Sequence, residues 1–130
     1  MLIDSSAWIE YLRHTGSKHD LAVQRAISYN EVHSVDPVRL ELLCGAASEA
    51  FAGELIRLLD LGAELDLQPR LDAEAAGAIY RLCHRQGETV RRPNDCLVAA
   101  VAIRHDVPVL HRDADYDVIA RHAPLQVVSV

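Results

Sequence analysis

The chain has 130 residues, of which half are hydrophobic and a quarter are charged, and its formal net charge is −6. These values predict one globular domain over residues 1–130 with a core of its own, and they argue against disorder, a membrane span and tight nonspecific binding to nucleic acid. The three cysteines have no Cys-x-x-Cys spacing, so we expect small buried apolar residues rather than a disulfide framework or a zinc site.

The first half of the chain alternates short apolar runs with segments of helical spacing that follow a capping residue. In order, we predict a strand at 1–3, a helix capped by Ser5 and Ser6, a helix at 18–30, a strand at 32–35, and helices at 37–47 and 51–61. Asp36 and Pro37 give the clearest start signal, because Asp caps and Pro at the first helical position loses no hydrogen bond.

The second half continues the same alternation, which predicts parallel strands joined by right-handed crossovers with helices on both faces of the sheet. In order, we predict a strand at 63–67, a helix capped by Asp72 that ends near Gln86, a helix capped by Asn94 that ends near His105, a strand at 107–110, a helix at 115–123 and a strand at 125–129. The N-terminus has no basic segment before an apolar stretch, so we expect no signal peptide and a cytoplasmic location.

Five carboxylates adjoin these apolar runs, at positions where a parallel sheet would gather them along its carboxyl edge. They are Asp4, Glu41, Asp95, Asp113 and Asp115. Two like charges ~5 Å apart at an effective dielectric of ~20 repel by roughly 3 kcal/mol, so a fold that assembles five needs a counter-charge. Hard oxygen ligands suit Mg²⁺ or Mn²⁺, and the pattern therefore predicts a divalent metal site.

Four of these acids also have a structural interpretation that the sequence leaves open. Asp4 could cap the first helix, and Asp115 could cap the helix at 115–123 or reach a metal through water. Glu41 could lie on an exposed stripe of its helix, and the helix macrodipole alone would favour Asp95 in a first turn.

Three arginines flank these acids in the sequence, namely Arg91, Arg92 and Arg112. Arginine forms two-pronged contacts with phosphate, so they are candidates for binding RNA phosphates. The alternative is that they offset the carboxylates or stay solvated. No Gly-x-Ser-x-Gly elbow and no glycine-rich phosphate loop is present, so nucleophilic serine chemistry and a P-loop are poorly supported.

Four segments in this order and spacing resemble the PIN-domain ribonucleases, specifically the VapC toxins of bacterial toxin–antitoxin pairs. They are Leu2–Trp8, Arg39–Gly45, Asn94–Ala100 and His111–Asp117, and the likeness spans nearly the whole chain. The family more often has Thr where Ser5 stands, which keeps a hydroxyl, and usually has Phe where Tyr116 stands.

This resemblance implies a three-layer α/β/α fold around a mostly parallel sheet of four to five strands. It also implies a catalytic quartet of Asp4, Glu41, Asp95 and Asp113, with Asp115 as an accessory metal ligand and Ser6 as a supporting hydroxyl. In such proteins the residues at Asp4 and Asp95 are the usual direct ligands of Mg²⁺, and Mn²⁺ can replace it. The expected substrate is structured RNA such as tRNA or rRNA, and the expected partners are a VapB-type antitoxin and a second copy of the chain, possibly within a larger toxin–antitoxin assembly, with no membrane.

Two other functions compete with this hypothesis. A two-component receiver domain also clusters acids around magnesium, but it needs a lysine near its fifth strand, and the only lysine here is Lys18. A non-catalytic relative would keep the PIN fold as a binding module, but the complete set of acids argues against it.

Overall fold

The computed structural model describes residues 1–130 as seven helices and four two-residue strands. The strands are Leu2–Ile3 (β1), His33–Ser34 (β2), Ala63–Glu64 (β3) and Val109–Leu110 (β4). The helices are Ser5–Leu12 (α1), Lys18–Ser28 (α2), Asp36–Cys44 (α3), Glu49–Leu59 (α4), Pro69–Arg85 (α5), Pro93–His105 (α6) and Ala114–His122 (α7).

The four strands form one sheet in the order β3-β2-β1-β4, and every neighbouring pair is parallel. Leu2 pairs with His33 on one side and with Val109 on the other, so β1 is a central strand. The predicted parallel sheet is thus confirmed. Because parallel strands end at the same edge, the residues that follow β1 and β4 emerge side by side, and Asp4 and Asp113 come from those two turns.

The helices complete a three-layer α/β/α arrangement. Helix α1 packs against α2 and α3, and α3 packs against α4, whereas α5 packs against α6 and α7. A single cluster of 28 buried hydrophobic residues joins the sheet to these helices, and Trp8 and Tyr116 are its largest fully buried side chains. α6 supplies much of this core, since the run from Val98 to Ala102 is buried throughout.

Five helices begin earlier than the capping residues predicted. Asp4 rather than Ser5 or Ser6 caps α1, and Asp113 rather than Asp115 caps α7. The other three have proline in the first turn, where the missing N–H costs no hydrogen bond, so α5 and α6 begin at the proline and α3 begins one residue before it. Val35, Gln68 and Arg92 are the observed N-caps of α3, α5 and α6, and none of them makes a side-chain capping bond. Asp72 lies inside α5 instead, and its carboxylate accepts the Gln68 N–H at 2.8 Å.

The predicted outer strands are shorter in the structure. β3 keeps only Ala63 and Glu64, both exposed, and the segment at 125–129 contributes one parallel bridge between Val127 and Val109. Gly62 allows β3 to approach β2, because a Cβ at that position would lie 2.7 Å from the Val32 carbonyl oxygen.

The cysteines divide into two kinds. Cys83 and Cys96 are buried as expected, whereas Cys44, the last residue of α3, is exposed, so that part of the prediction was wrong. None of the seven helices has both the length and the apolar composition needed to cross a membrane.

Candidate metal centre

Three carboxylates meet at the carboxyl edge of the sheet. Asp95, Asp113 and Asp115 each offer an oxygen, and these oxygens lie within 4.8 Å of one another. Asp95 stands in the first turn of α6, Asp113 is the N-cap of α7, and Asp115 is in the first turn of α7. The Asp115 N–H donates to Asp113 Oδ1 at 3.0 Å, so the cap bond fixes these two acids relative to each other. We refer to these three residues as the acidic triad.

Asp95 is the most perturbed member of the triad. It is 2% exposed, and burial, followed by the negative charges of Asp4, Asp113, Asp115 and Glu41, raises the pKa of its carboxyl from 3.8 to about 7. Its Oδ2 is buried and accepts no hydrogen bond from any other group in the protein. Buried polar atoms are nearly always paired, so an unpaired carboxylate oxygen among four other acids is suited to a cation.

Asp4 lies beside the triad and is held by three hydrogen bonds. The Ser6 N–H and hydroxyl donate to Oδ2 at 3.0 and 2.5 Å, and the Tyr116 hydroxyl donates to Oδ1 at 2.7 Å. Asp4 is therefore the N-cap of α1, as its structural interpretation predicted, and its negative charge also helps to raise the pKa of Asp95. Tyr116 is fully buried, and burial together with the charge of Asp4 raises the pKa of its phenol far above 10, which keeps it a hydrogen-bond donor.

Glu41 extends from α3 towards the same edge. Its Oε2 accepts the Ser5 hydroxyl at 2.6 Å, and its Oε1 accepts the Asn94 side-chain amide. These two bonds tie α3 to α1 and α6, so Glu41 is not on a solvated stripe. It lies outside the oxygens of the triad but near enough to Asp95 to raise its pKa.

The three flanking arginines have different surroundings. Arg91 lies against the triad, with its guanidinium 3.5 Å from both Asp113 and Asp115 and its N–H donating to Asp115 at 3.0 Å. Arg112 forms an ion pair with the buried Glu10, and its backbone N–H donates to the Ser6 hydroxyl at 2.9 Å. Arg92 is exposed and forms no ion pair.

Three side chains position the acids without having been predicted to do so. Ser5 and Asn94 hold Glu41, and Tyr116 holds Asp4. Ser5 and Asn94 read as helix caps in the sequence, and Tyr116 read as a conservative replacement for Phe. A polar residue next to a candidate ligand was the available signal in each case, but its partner is distant in sequence and could not be identified from spacing.

Comparison with known proteins identifies the family to which this chain belongs. A sequence model of the PIN domain matches residues 1–122. The VapC ribonuclease Mb1587 of Mycobacterium bovis and the ribonuclease VapC11 of Mycobacterium tuberculosis are each 45% identical over 131 residues, covering 99% of this chain and 98% of theirs. The crystal structure of VapBC2 from Rickettsia felis, bound to a DNA fragment from their promoter, superposes with a TM-score of 0.75 at 13% identity, over 98% of this chain and 96% of that one. The chain belongs to the PIN-domain family and, within it, groups with the VapC ribonucleases.

Proposed function

We propose that this protein is a Mg²⁺- or Mn²⁺-dependent endoribonuclease that acts as the toxin of a toxin–antitoxin pair. The observation that carries the proposal is the buried, unpaired Oδ2 of Asp95 at the centre of five acids. The names of the ribonucleases that are 45% identical support RNA as the substrate.

The donor set fits a hard divalent cation, because every candidate ligand is a carboxylate oxygen. Asp95, Asp113 and Asp115 would hold the ion between them. A carboxylate offers about four lone-pair positions, so Asp4 with three accepted bonds and Glu41 with two keep free positions for a ligand role. When bound, such an ion lowers the pKa of water and stabilises the charge that builds on an attacked phosphate.

The surrounding residues prepare this chemistry. Ser5 and Asn94 orient Glu41, and Ser6 and Tyr116 orient Asp4, so neither acid has to reorganise when substrate arrives. Arg92 is exposed and free of an acidic partner, which suits it to an RNA phosphate. Hydrolysis by water rather than by the ribose 2′-hydroxyl would leave a 5′-phosphate and a 3′-hydroxyl.

Arg91 and Arg112 are less available to bind an RNA phosphate, because both are already paired with acids. Arg91 would have to leave Asp113 and Asp115, and a bound ion could take its place as the positive partner of these two acids. Arg112 would act while still bound to Glu10, since its side chain remains 56% exposed.

We further propose a VapB-type antitoxin as partner, supported by the likeness to VapBC2, and a homodimer as the form of the toxin. The substrate would be tRNA or rRNA, cut at a single-stranded loop where bases can be splayed out. These RNAs are cytoplasmic, which would place the activity there.

The proposal is tested with total RNA, wild-type protein and the variants Asp95→Asn and Asp4→Asn, in Mg²⁺ and in EDTA. Asp66→Asn is the matched control, because Asp66 is exposed and its carboxylate makes no contact with the site. We expect cleavage by wild type and the control in Mg²⁺ only, and a loss of at least a hundredfold in both site variants.

Cleavage in EDTA, or undiminished cleavage by Asp95→Asn, would contradict the proposal. Calorimetric titration with Mg²⁺ addresses the non-catalytic alternative. Absence of heat at millimolar Mg²⁺ would favour a binding module that has kept the fold alone.

A further inference from the structure

A cavity of about 450 Å³ opens directly beside the candidate metal centre. Its lining includes four residues already assigned to that centre, namely Ser5, Ser6, Glu41 and Asp113. A molecule that fills the cavity therefore contacts residues of the acidic site. Its volume falls within the range of small-molecule sites and is large enough for one nucleotide.

Part of the lining is an apolar patch. It consists of Ile9 and Leu12 of α1, Leu42 of α3, and Phe51 and Leu55 of α4. Leu42 and Leu55 are buried in the core, while Phe51 is half-buried and is the one aromatic residue of the lining. Aromatic and aliphatic side chains of this kind are what an unstacked base packs on.

The lining carries a net positive charge in a chain whose net charge is −6, because three arginines stand against the two acids Glu41 and Asp113. Arg13, Arg92 and Arg112 all line the cavity, and all three are exposed. Arg112 is paired with Glu10, but Arg13 and Arg92 form no ion pair and have their guanidinium groups available. Two unpaired arginines in a cavity with an apolar patch match an occupant with an apolar plane and flanking negative charges.

We propose that this cavity is a base-binding subsite for the single-stranded RNA substrate, in which one unstacked base packs on Phe51 and the adjoining phosphates contact Arg13 and Arg92. The inference rests on the proposed nuclease function and adds to it the substrate contact next to the reacting phosphate. A protein segment is the other conceivable occupant, but it offers no regular row of negative charge to the two arginines. RNA does so at every nucleotide, and its strand must in any case reach the acids at Glu41 and Asp113.

The test measures binding of a fluorescently labelled single-stranded RNA of mixed sequence by anisotropy, with Asp95→Asn as the background so that the RNA remains intact. Phe51→Leu keeps apolar bulk and removes the ring. We expect it to weaken binding about tenfold, because stacking of one base contributes ~1–3 kcal/mol. Phe51→Tyr should retain wild-type affinity.

The arginine variants give a separate signature. Arg13→Ala and Arg92→Ala should each weaken binding and reduce the slope of log affinity against log salt by about 0.7, as expected for one lost phosphate contact on a single strand. Phe51→Leu should leave that slope unchanged. Arg85→Ala is the matched control, since Arg85 is exposed at the end of α5, forms no ion pair and does not line the cavity.

Binding by Phe51→Leu and both arginine variants that equals the Arg85→Ala control overturns the subsite. So does a result in which these variants lose affinity for the antitoxin but keep that for RNA, because the cavity is then a protein groove. Wild-type protein tested for Mg²⁺-dependent cleavage separates the two proposals. If wild-type protein cleaves RNA but the variants bind RNA as tightly as the control, the subsite alone is refuted. If wild-type protein does not cleave RNA, the proposed nuclease function is refuted.

Discussion

Asp95→Asn should stabilise the metal-free protein, and the gain should depend on pH. The wild-type carboxyl is buried among Asp4, Asp113, Asp115 and Glu41, which raises its pKa from 3.8 to about 7. Asparagine has nearly the same shape and carries no charge, so the substitution removes the repulsion without leaving a cavity. The same substitution should abolish metal-dependent cleavage, which makes stability and activity change in opposite directions.

The magnitude follows from linkage between proton binding and folding. Below pH 3.8 Asp95 is protonated in both the folded and the unfolded states and costs nothing. As pH rises towards 7, the unfolded chain releases this proton first, so the folded state loses stability, and the loss is complete above the folded pKa. At about 1.4 kcal/mol per pKa unit, the wild type is disfavoured by about 1.5 kcal/mol at pH 5 and by about 4 kcal/mol at pH 8.

Urea denaturation in EDTA at these two pH values measures the free energy of unfolding of wild type, Asp95→Asn and the surface control Asp66→Asn. The advantage of Asp95→Asn over wild type should grow by about 2–3 kcal/mol between pH 5 and pH 8, while the control stays within about 0.5 kcal/mol of wild type. Added Mg²⁺ should then stabilise wild type and not the variant. An advantage that is equal at both pH values, or that shrinks as pH rises, would refute the electrostatic account of this site.

Two further substitutions test buried hydrogen bonds to carboxylates. Tyr116→Phe removes the buried donor to Asp4 and should lower the free energy of unfolding, measured by urea denaturation, by about 2 kcal/mol, because a hydrogen bond to a charged group contributes ~1.5–3 kcal/mol. Tyr80→Phe is the control, since Tyr80 is half-buried and makes no such bond, and an equal loss of stability in this variant would contradict the prediction. Arg104→Ala leaves the carboxylate of Asp72, which is 1% exposed, without its two bonds of 2.8 Å and should cost about 3–5 kcal/mol at pH 7. Because Arg104 lowers the pKa of Asp72, the cost is fully present above the ordinary carboxyl pKa of 3.8 and should shrink as pH falls through the lowered value, where Asp72 becomes protonated in both proteins. A cost that does not shrink as the solution is made more acidic would show that packing rather than charge is responsible.

The layout of the fold could be predicted from sequence because its signals are local. Apolar runs marked the strands, and the acids that follow β1 and β4 had to reach one edge once those strands paired in parallel. The outer strands were predicted too long. The alternation at 63–67 indicates exposure of one side chain in two, but only Ala63 and Glu64 pair with a neighbour, since each strand's pairing depends on residues far away in the chain.

The arrangement of side chains within the site was harder to predict from the sequence. α6 starts at Pro93 with Arg92 as its N-cap, two residues earlier than a cap at Asn94 predicts. Asn94 is therefore the second residue of the helix, and its side-chain amide donates to Glu41 instead of capping the first turn. Asp115, predicted as an accessory, lies in the triad with Asp95, because capping of α7 by Asp113 fixes the direction of its first turn.

The uneven burial of the cysteines makes this protein ready for site-specific labelling without mutation. Burial raises the pKa of the Cys83 thiol and takes that of Cys96 to about 12, so neither forms the thiolate that reacts with alkylating reagents. Cys44 is exposed and is followed by Gly45, which borders the cavity beside the acids. A maleimide dye should therefore attach at Cys44 alone and report by fluorescence when that cavity fills.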